Sequence, residues 1–317
     1  MKIKIKAFFL VALICFLITG CTTSDQQITN QDVSNENITS KYTSSEFLSS
    51  KEQVSKEISS LNEESKVTSV VSSENPAISN SQATESKEES KNKEMEINID
   101  VKGKKLVAFT FDDGPNEYSK ALYETFWKNG GHCTFFVVGN KVNGNYSNLL
   151  KAFVKNGNQI GNHSYSHERM TSLLSADILE DFTKCQNAVK TFVGYEMTMA
   201  RLPHLAGDFK VYSVMKQLNL SCIAGIDTSA SSVGSLQDYV PSFTADKIET
   251  AVLETIYDGA IFLCHSTDRT SDAMEQVLPK LKDQGYAFVT VEEMMYLKGH
   301  TPIPVGCQIV DGNLKIR

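Results

Sequence analysis

Arginine is scarce in this 317-residue chain: Arg169, Arg201, Arg269 and Arg317 are all it has. No basic stretch follows Lys2, Lys4 and Lys6, and the formal net charge is −7. Affinity for a phosphate backbone comes from clustered Lys and Arg, so nucleic acid is not an expected partner. From residue 22 to 97 glycine is absent and Tyr42 and Phe47 are the only aromatics, while Ser, Glu, Lys, Asn and Thr dominate. Such a stretch cannot bury enough apolar surface to offset the entropy of ordering it, so 21–97 is expected to be a disordered tether. Metal-type cysteine spacing is also missing. Of seven cysteines, Cys133, Cys185, Cys222, Cys264 and Cys307 lie in the body of the chain, with no CxxC among them. Cys133 and Cys264 sit inside apolar runs and read as small buried hydrophobes. Tryptophan occurs once, as Trp127, on a predicted helix that places it in the core.

The N-terminus carries a pattern of its own. Lys2, Lys4 and Lys6 precede an apolar or small-residue run over 7–19, too short for a permanent membrane span. The run ends Ile18-Thr19-Gly20-Cys21, which resembles the lipobox of bacterial lipoproteins. That resemblance implies a signal peptide over 1–20 and a lipid on Cys21. The protein would then sit on the extracellular face of the cell membrane. Some 75 tether residues would span about 50 Å, at roughly 5–6 Å × √n, and so reach into a cell wall. Loss of residues 1–20 removes three lysines and no acids, taking the net charge from −7 to −10. A neutral or locally neutral glycan suits such a body better than a polyanion.

From about residue 98 to 298 strand and helix patterns alternate. Strands are predicted at 106–111, 133–138, 159–161, 199–201, 221–227, 260–265 and 287–291. Helices are predicted at 119–128, 146–156, 175–193, 209–218, 244–257 and 271–284. Repeated strand–helix units imply a parallel sheet with crossover helices, and this many in one domain favour a closed or nearly closed βα-barrel. The tail, 299–317, has no clear assignment. In this arrangement Asp112-Asp113, His163, Arg201, Asp227 and His265 all fall at or just past strand C-termini, the rim where βα-barrels carry chemistry.

Adjacent carboxylates at Asp112-Asp113 would face opposite sides of an ideal strand, and the following Gly114-Pro115 turn can break that alternation. An Asp-rich turn would look the same. His163-Ser164-Tyr165-Ser166-His167 spaces two imidazoles at i and i+4, one face of a helical turn, from which both reach one cation. One Asp and two His leave coordination positions open for water and substrate, as a catalytic ion needs.

Thr110-Phe111-Asp112-Asp113-Gly114-Pro115 and His163-Ser164-Tyr165-Ser166-His167 together resemble the first two motifs of the NodB-homology polysaccharide deacetylases, carbohydrate esterase family four, over residues 106–297. The resemblance implies a distorted (β/α) barrel of the NodB type. It also implies a divalent ion on Asp113, His163 and His167: zinc, with cobalt, nickel or manganese as alternatives. Asp112 would be the catalytic base. Arg201-Leu202-Pro203-His204 resembles the family's Arg-x-Pro-aromatic segment, whose Arg orients the base. His265 would be the acid and Leu263 would line the acetyl pocket, with Ser266 where an acidic residue is usual. Pro203, His204 and Asp227 would contribute to the substrate groove. The Asp-x-x-Asp-Trp motif is the poorest match: Asp227-Thr228-Ser229-Ala230-Ser231 puts Ala230 and Ser231 where the acid's partner and a groove tryptophan are expected. The implied activity is removal of N-acetyl groups from an extracellular amino-sugar polymer, peptidoglycan (GlcNAc or MurNAc) foremost or a chitin-like glycan. O-acetyl esterase activity on xylan and a non-catalytic glycan-binding role are the alternatives.

Overall fold

The computed structural model describes residues 95–316. The export segment, Cys21 and nearly all of the tether lie outside them. Among the described residues no helix is long and apolar enough to cross a membrane.

The fold is built on β1 (Lys105–Gly114), whose Leu106–Phe111 core is buried on both faces. A run apolar on both sides of the pleat belongs in the middle of a parallel sheet. β1 pairs in parallel with β2 (Thr134–Val137), β6 (Ala260–His265) and, at its start, β7 (Tyr286–Phe288). From β2 the sheet continues in parallel through β3 (Gln159–Asn162), β4 (Met199–Ala200), β5 (Ser221–Ile223) and β8 (Gln308–Ile309). The chain leaving β5 then bridges the gap: the Ala224 N–H donates to the Ile309 carbonyl at 2.7 Å and the Ile226 N–H to the Ile261 carbonyl at 2.9 Å. Gly225 makes this crossing feasible, because a β-carbon there would lie 2.9 Å from that of Leu263. The result is the distorted (β/α) barrel that the sequence implies.

The helices are α1 (Ser119–Lys128), α2 (Gly144–Lys155), α3 (Ser175–Val193), α4 (Phe209–Gln217), α5 (Ala245–Thr255), α6 (Asp268–Asp283) and α7 (Val291–Leu297). Between β1 and the outer helices lies an aromatic core. Phe109 stacks on Phe262 at 5.1 Å, and Phe126 and Phe288 meet it edge-on or tilted. Cys133 and Cys264 are buried as expected, and the five cysteines of the described residues are free thiols.

Three expectations are corrected. The last strand stops at Phe288, because Thr290 and Glu293 form a reciprocal capping box that opens α7 at Val291. The unassigned tail supplies β8, which extends the sheet beyond β5. Trp127 is not in the core: it lies on the outer side of α1, 56% exposed. Truncating Phe109 to Ala should cost roughly 3–5 kcal/mol, because four rings share that space. Urea unfolding of the full chain would measure the loss, and a change under 1 kcal/mol would contradict this packing.

Candidate active site

At the C-terminal rim β1 stops behaving as a strand. Register with β2 shifts between Phe111 and Gly114, and Asp113 adopts a left-handed φ of 67°. That conformation is costly for a non-glycine residue, and such residues concentrate at functional sites. It also breaks the alternation, so Asp112 and Asp113 line one cavity.

Asp112 is 3% exposed, and its Oδ1 accepts a hydrogen bond from Arg201 Nη1 at 2.8 Å. Arg201 is wholly buried. Its Nη1 also reaches Thr110 Oγ1 at 2.6 Å, its Nε donates to the Ile223 carbonyl at 3.0 Å, and its Nη2 donates to the Ala224 carbonyl. The guanidinium lies over the Phe136 ring at 4.3 Å. Burial opposes charge on Asp112, but Arg201, His163 and His265 outweigh it and hold the carboxyl below its usual range.

His163 and His167 do not sit on a helical turn. They flank a loop in which Ser164 and His167 both have positive φ, and their rings meet edge-on at 4.9 Å. Local acceptors fix this loop. The Ser164 N–H donates to Asn162 Oδ1, the His167 N–H to Ser164 Oγ, and the Tyr165 N–H to Asp181 Oδ1 on α3. His163 Nδ1 lies 2.8 Å from the Arg201 carbonyl, an acceptor only, so the proton sits on Nδ1 and Nε2 keeps its lone pair. Burial lowers the His163 pKa against the pull of Asp112 and Asp113, favouring the neutral imidazole. Asp113 Oδ1 lies 3.6 Å from His163 Nε2 and 3.2 Å from His167 Nε2. It is buried, with no hydrogen-bond partner. One donor atom from each of Asp113, His163 and His167 falls within 4.8 Å of the others.

The opposite wall overturns the fourth-motif reading. Ala230 is exposed, and Ser231 is tied to Glu254 of α5 at 2.8 Å. The partner of His265 is Asp238, wholly buried, with Oδ1 at 2.8 Å from His265 Nδ1. Asp238 Oδ2 accepts the His265 backbone N–H at 2.5 Å and the Thr270 hydroxyl at 2.8 Å, and the Asp238 carbonyl accepts from Arg269 Nη2 at 3.3 Å. Tyr239 follows, 59% exposed, its ring edge-on to His265 at 5.1 Å. A longer loop, pinned through Thr228 and Glu254, thus delivers an Asp–aromatic pair that a fixed three-residue spacing from Asp227 could not find. The available signal was Asp238-Tyr239 itself. Burial lowers the His265 pKa, but the Asp238 hydrogen bond and charge, aided by Asp112 and Asp113, overcome it and lift the imidazole to about 9.

These groups surround a cavity of about 480 Å³, lined also by Leu202, His204, Leu205 and Leu263. His204, at φ 57°, sets its ring edge-on to His167 at 5.0 Å. Pro203 is buried and does not line the cavity. Asp227 lies in an adjoining depression of about 390 Å³ that shares Leu205, Tyr239 and Leu263 with it, so the rim is an extended groove. Ser266 knits β6 to β1 through its N–H to the Asp112 carbonyl and takes no place in the cavity.

The polysaccharide deacetylase family profile matches residues 100–223. The chain is 31% identical over 205 residues to a bifunctional xylanase/deacetylase of Pseudobutyrivibrio xylanivorans, covering 64% of this chain and 32% of that protein. It is 32% identical over 200 residues to the peptidoglycan-N-acetylmuramic acid deacetylase PdaC of Bacillus subtilis, covering 61% and 39%. The chain therefore spans about a third to two fifths of the length of these curated relatives. The solved PdaC structure superposes with a TM-score of 0.56 at 30% identity, over 62% of this chain and 93% of that one. A family 4 acetyl xylan esterase from Clostridium thermocellum, in complex with a cobalt ion, gives 0.56 at 30%, over 62% and 92%. The chain belongs to the polysaccharide deacetylase family, carbohydrate esterase family 4.

Because the folded pKa of His265 lies above the ordinary 6.5, the stabilisation from its pair with Asp238 is complete below about 6.5 and lost as pH rises through about 9. Asp238→Asn should bring the His265 pKa down by roughly 1–3 units, read by NMR titration of the imidazole. A value still near 9 in that variant would remove Asp238 as its cause.

Proposed function

We propose that this chain is a divalent-metal-dependent hydrolase that removes N-acetyl groups from an extracellular amino-sugar polymer, peptidoglycan in the first place. One observation carries the reading. A single cavity sets an Asp113–His163–His167 cluster with an unpartnered carboxylate oxygen against an imidazole held charged by Asp238.

The donor set fits a catalytic ion: three N/O ligands leave open positions, and a buried carboxylate oxygen without a partner is costly unless a cation satisfies it. Zinc suits it, as do cobalt, nickel and manganese. When bound there, such an ion supplies Lewis acidity toward the acetyl carbonyl and lowers the pKa of water. Asp112 accepts a proton from the attacking water. Arg201 occupies its Oδ1, and its Oδ2 lies 3.7 Å from His163 Nε2, on the cluster side. His265 gives its proton to the departing nitrogen. An amine is a far poorer leaving group than an alcohol until protonated, so an aspartate-paired imidazolium suits an amide better than an ester. Leu263 and Leu202 offer an apolar wall to the acetyl methyl, and Tyr239, His204 and Leu205 flank the sugar.

Acetate release should be assayed side by side on peptidoglycan, chitin oligomers and acetylxylan, with and without chelator. Release from the amino-sugar polymers, abolished by chelation and lowered roughly 10²–10⁴-fold in Asp112→Asn, is expected. Chelator-insensitive release would overturn the mechanism. Release from acetylxylan alone would establish the esterase reading, and none at all the binding-module reading. Protonated His265 is the active form, so Asp238→Asn should move the alkaline fall of kcat/KM to lower pH. An unmoved limb would exclude His265 as the acid.

The proposed location is the extracellular membrane surface, through a lipid on Cys21, supported by the basic start, the apolar run 7–19 and Ile18-Thr19-Gly20-Cys21. Cys21→Ser should shift the protein from the membrane fraction into the medium, read by immunoblot. Equal membrane retention would argue against lipid anchoring.

A further inference from the structure

A second cavity, of about 610 Å³, opens at the opposite end of the barrel, where β1, β2, β3 and β7 begin. In βα-barrels that end serves stability while the other carries the chemistry. A concavity larger than the catalytic one, with the chain's only tryptophan on its wall, has no part in the reaction described above. We infer that this cavity is a second saccharide-binding site, taking a pyranose that carries a carboxylate. The inference builds on the polysaccharide reading of the active site.

The wall supplies both kinds of contact such a ligand needs. Trp127 is 56% exposed, and its indole makes no ring contact or hydrogen bond among the described residues. A flat aromatic face left open in a concave wall matches the C–H face of a pyranose, and its N–H stays available to a hydroxyl. Of the other rings in the wall, Tyr286 is covered by the Lys105 ammonium at 4.2 Å and Phe288 and His132 are buried, so Trp127 is the open platform.

The charge is equally specific. Lys104 is committed to Asp100 at 2.9 Å, and His132 Nδ1 faces Glu293 Oε1 at 2.8 Å. Lys155 at the end of α2 and Lys282 at the end of α6 line the same cavity, with no ion-pair or hydrogen-bond partner among the described residues. Two uncommitted ammonium groups beside an open indole select a sugar with an acidic substituent over a neutral one. A pair of lysines on a chain of net charge −7 is too little to hold a nucleic acid. β1 alone spans ten residues, roughly 30 Å at about 3.3 Å each, so the two cavities would engage different stretches or strands of one polymer. Engaging both raises retention on a polymer without new contacts at the catalytic cavity.

Because Trp127 is the only tryptophan, indole fluorescence reports this cavity alone. The full-length chain carrying Asp112→Asn, which prevents turnover, should be titrated with two probes. One is a GlcNAc–MurNAc tetrasaccharide, whose lactyl groups end in carboxylates; the other is neutral chitotetraose. A saturable emission change is expected with the acidic probe, with Kd weaker by roughly five-fold or more for chitotetraose and for a Lys155→Ala/Lys282→Ala variant. No change at millimolar acidic probe, equal affinity for both probes, or a Kd unmoved by the lysine replacements would overturn the assignment. In the otherwise wild-type chain, Trp127→Ala should leave acetate release from soluble oligomers within two-fold and lower release from insoluble glycan strands stripped of their stem peptides, whose lactyl carboxylates are free, roughly three- to ten-fold. Equal effects on both would also count against it. Saturable fluorescence without any acetate release would defeat the catalytic reading while leaving this site standing.

Discussion

The buried guanidinium of Arg201 is the interaction on which the candidate active site depends. It binds the Asp112 carboxylate, the Thr110 hydroxyl and the Ile223 and Ala224 carbonyls at the end of β5, and its own carbonyl receives His163 Nδ1. One residue therefore ties β1, β3, β4 and β5 at their C-terminal rim. A buried charge pair is no cheap source of stability, but removing one partner leaves the other uncompensated, at a cost on the order of 3–5 kcal/mol. The arrangement exchanges that vulnerability for a carboxylate kept ionised and aimed, and for a His163 tautomer with its lone pair toward Asp113. The proposed base and the candidate metal cluster are thus set by a single side chain.

The two walls are built by different means. On the cluster side short local devices suffice: a left-handed Asp113, a loop with two positive φ angles, and the Asp181 carboxylate accepting two successive backbone N–H groups. On the His265 side the geometry comes from a long excursion after β5, fastened to Glu254 and returning Asp238 beneath His265. A loop is free to lengthen where its ends are fixed by a rigid sheet. What has to be conserved physically is a buried acceptor at Nδ1, and the number of residues spent reaching it is incidental.

This difference explains what was legible in the sequence. Asp112, Asp113, His163, His167, Arg201 and His265 are legible because each lies in a short motif within a few residues of a strand end, where spacing is rigid enough for the family resemblance to carry. Asp238 was missed because its distance from Asp227 is set by tertiary anchoring. The helical reading of His163–His167 failed for a related reason: i, i+4 spacing also suits a loop whose backbone is turned by side-chain acceptors. Trp127 was placed in the core by its type, although its register on α1 faces outward while Leu122 and Phe126 face in. The start of α7 was readable in Thr290-Val291-Glu292-Glu293, a capping-box pattern that an apolar run leading into it obscured. Among the described residues, the cis-prolyl bonds Gly114–Pro115 and Thr301–Pro302 carry no such mark.

The charge balance of the chain has to be read at two ranges. A formal −7 argues against capture of polyanions, yet the cavity at the far end offers two uncommitted ammonium groups. At physiological ionic strength the Debye length is about 8 Å, so net charge governs approach only weakly and a ligand in contact responds to the nearest groups. The scarce arginines follow the same logic. Arg201 and Arg269 are half of the total: Arg201 binds the Asp112 carboxylate, and Arg269 donates to the Asp238 carbonyl and the Asp268 carboxylate, each a fixed planar donor on an acceptor. Among the lysines, Lys141 donates to the Asp113 carbonyl beside the candidate active site, whereas Lys155 and Lys282 stand without a partner among the described residues at the opposite cavity. Positive charge therefore acts locally: the buried Arg201 fork fixes the Asp112 carboxylate, and Lys155 and Lys282 are free to turn toward the carboxylate of a ligand.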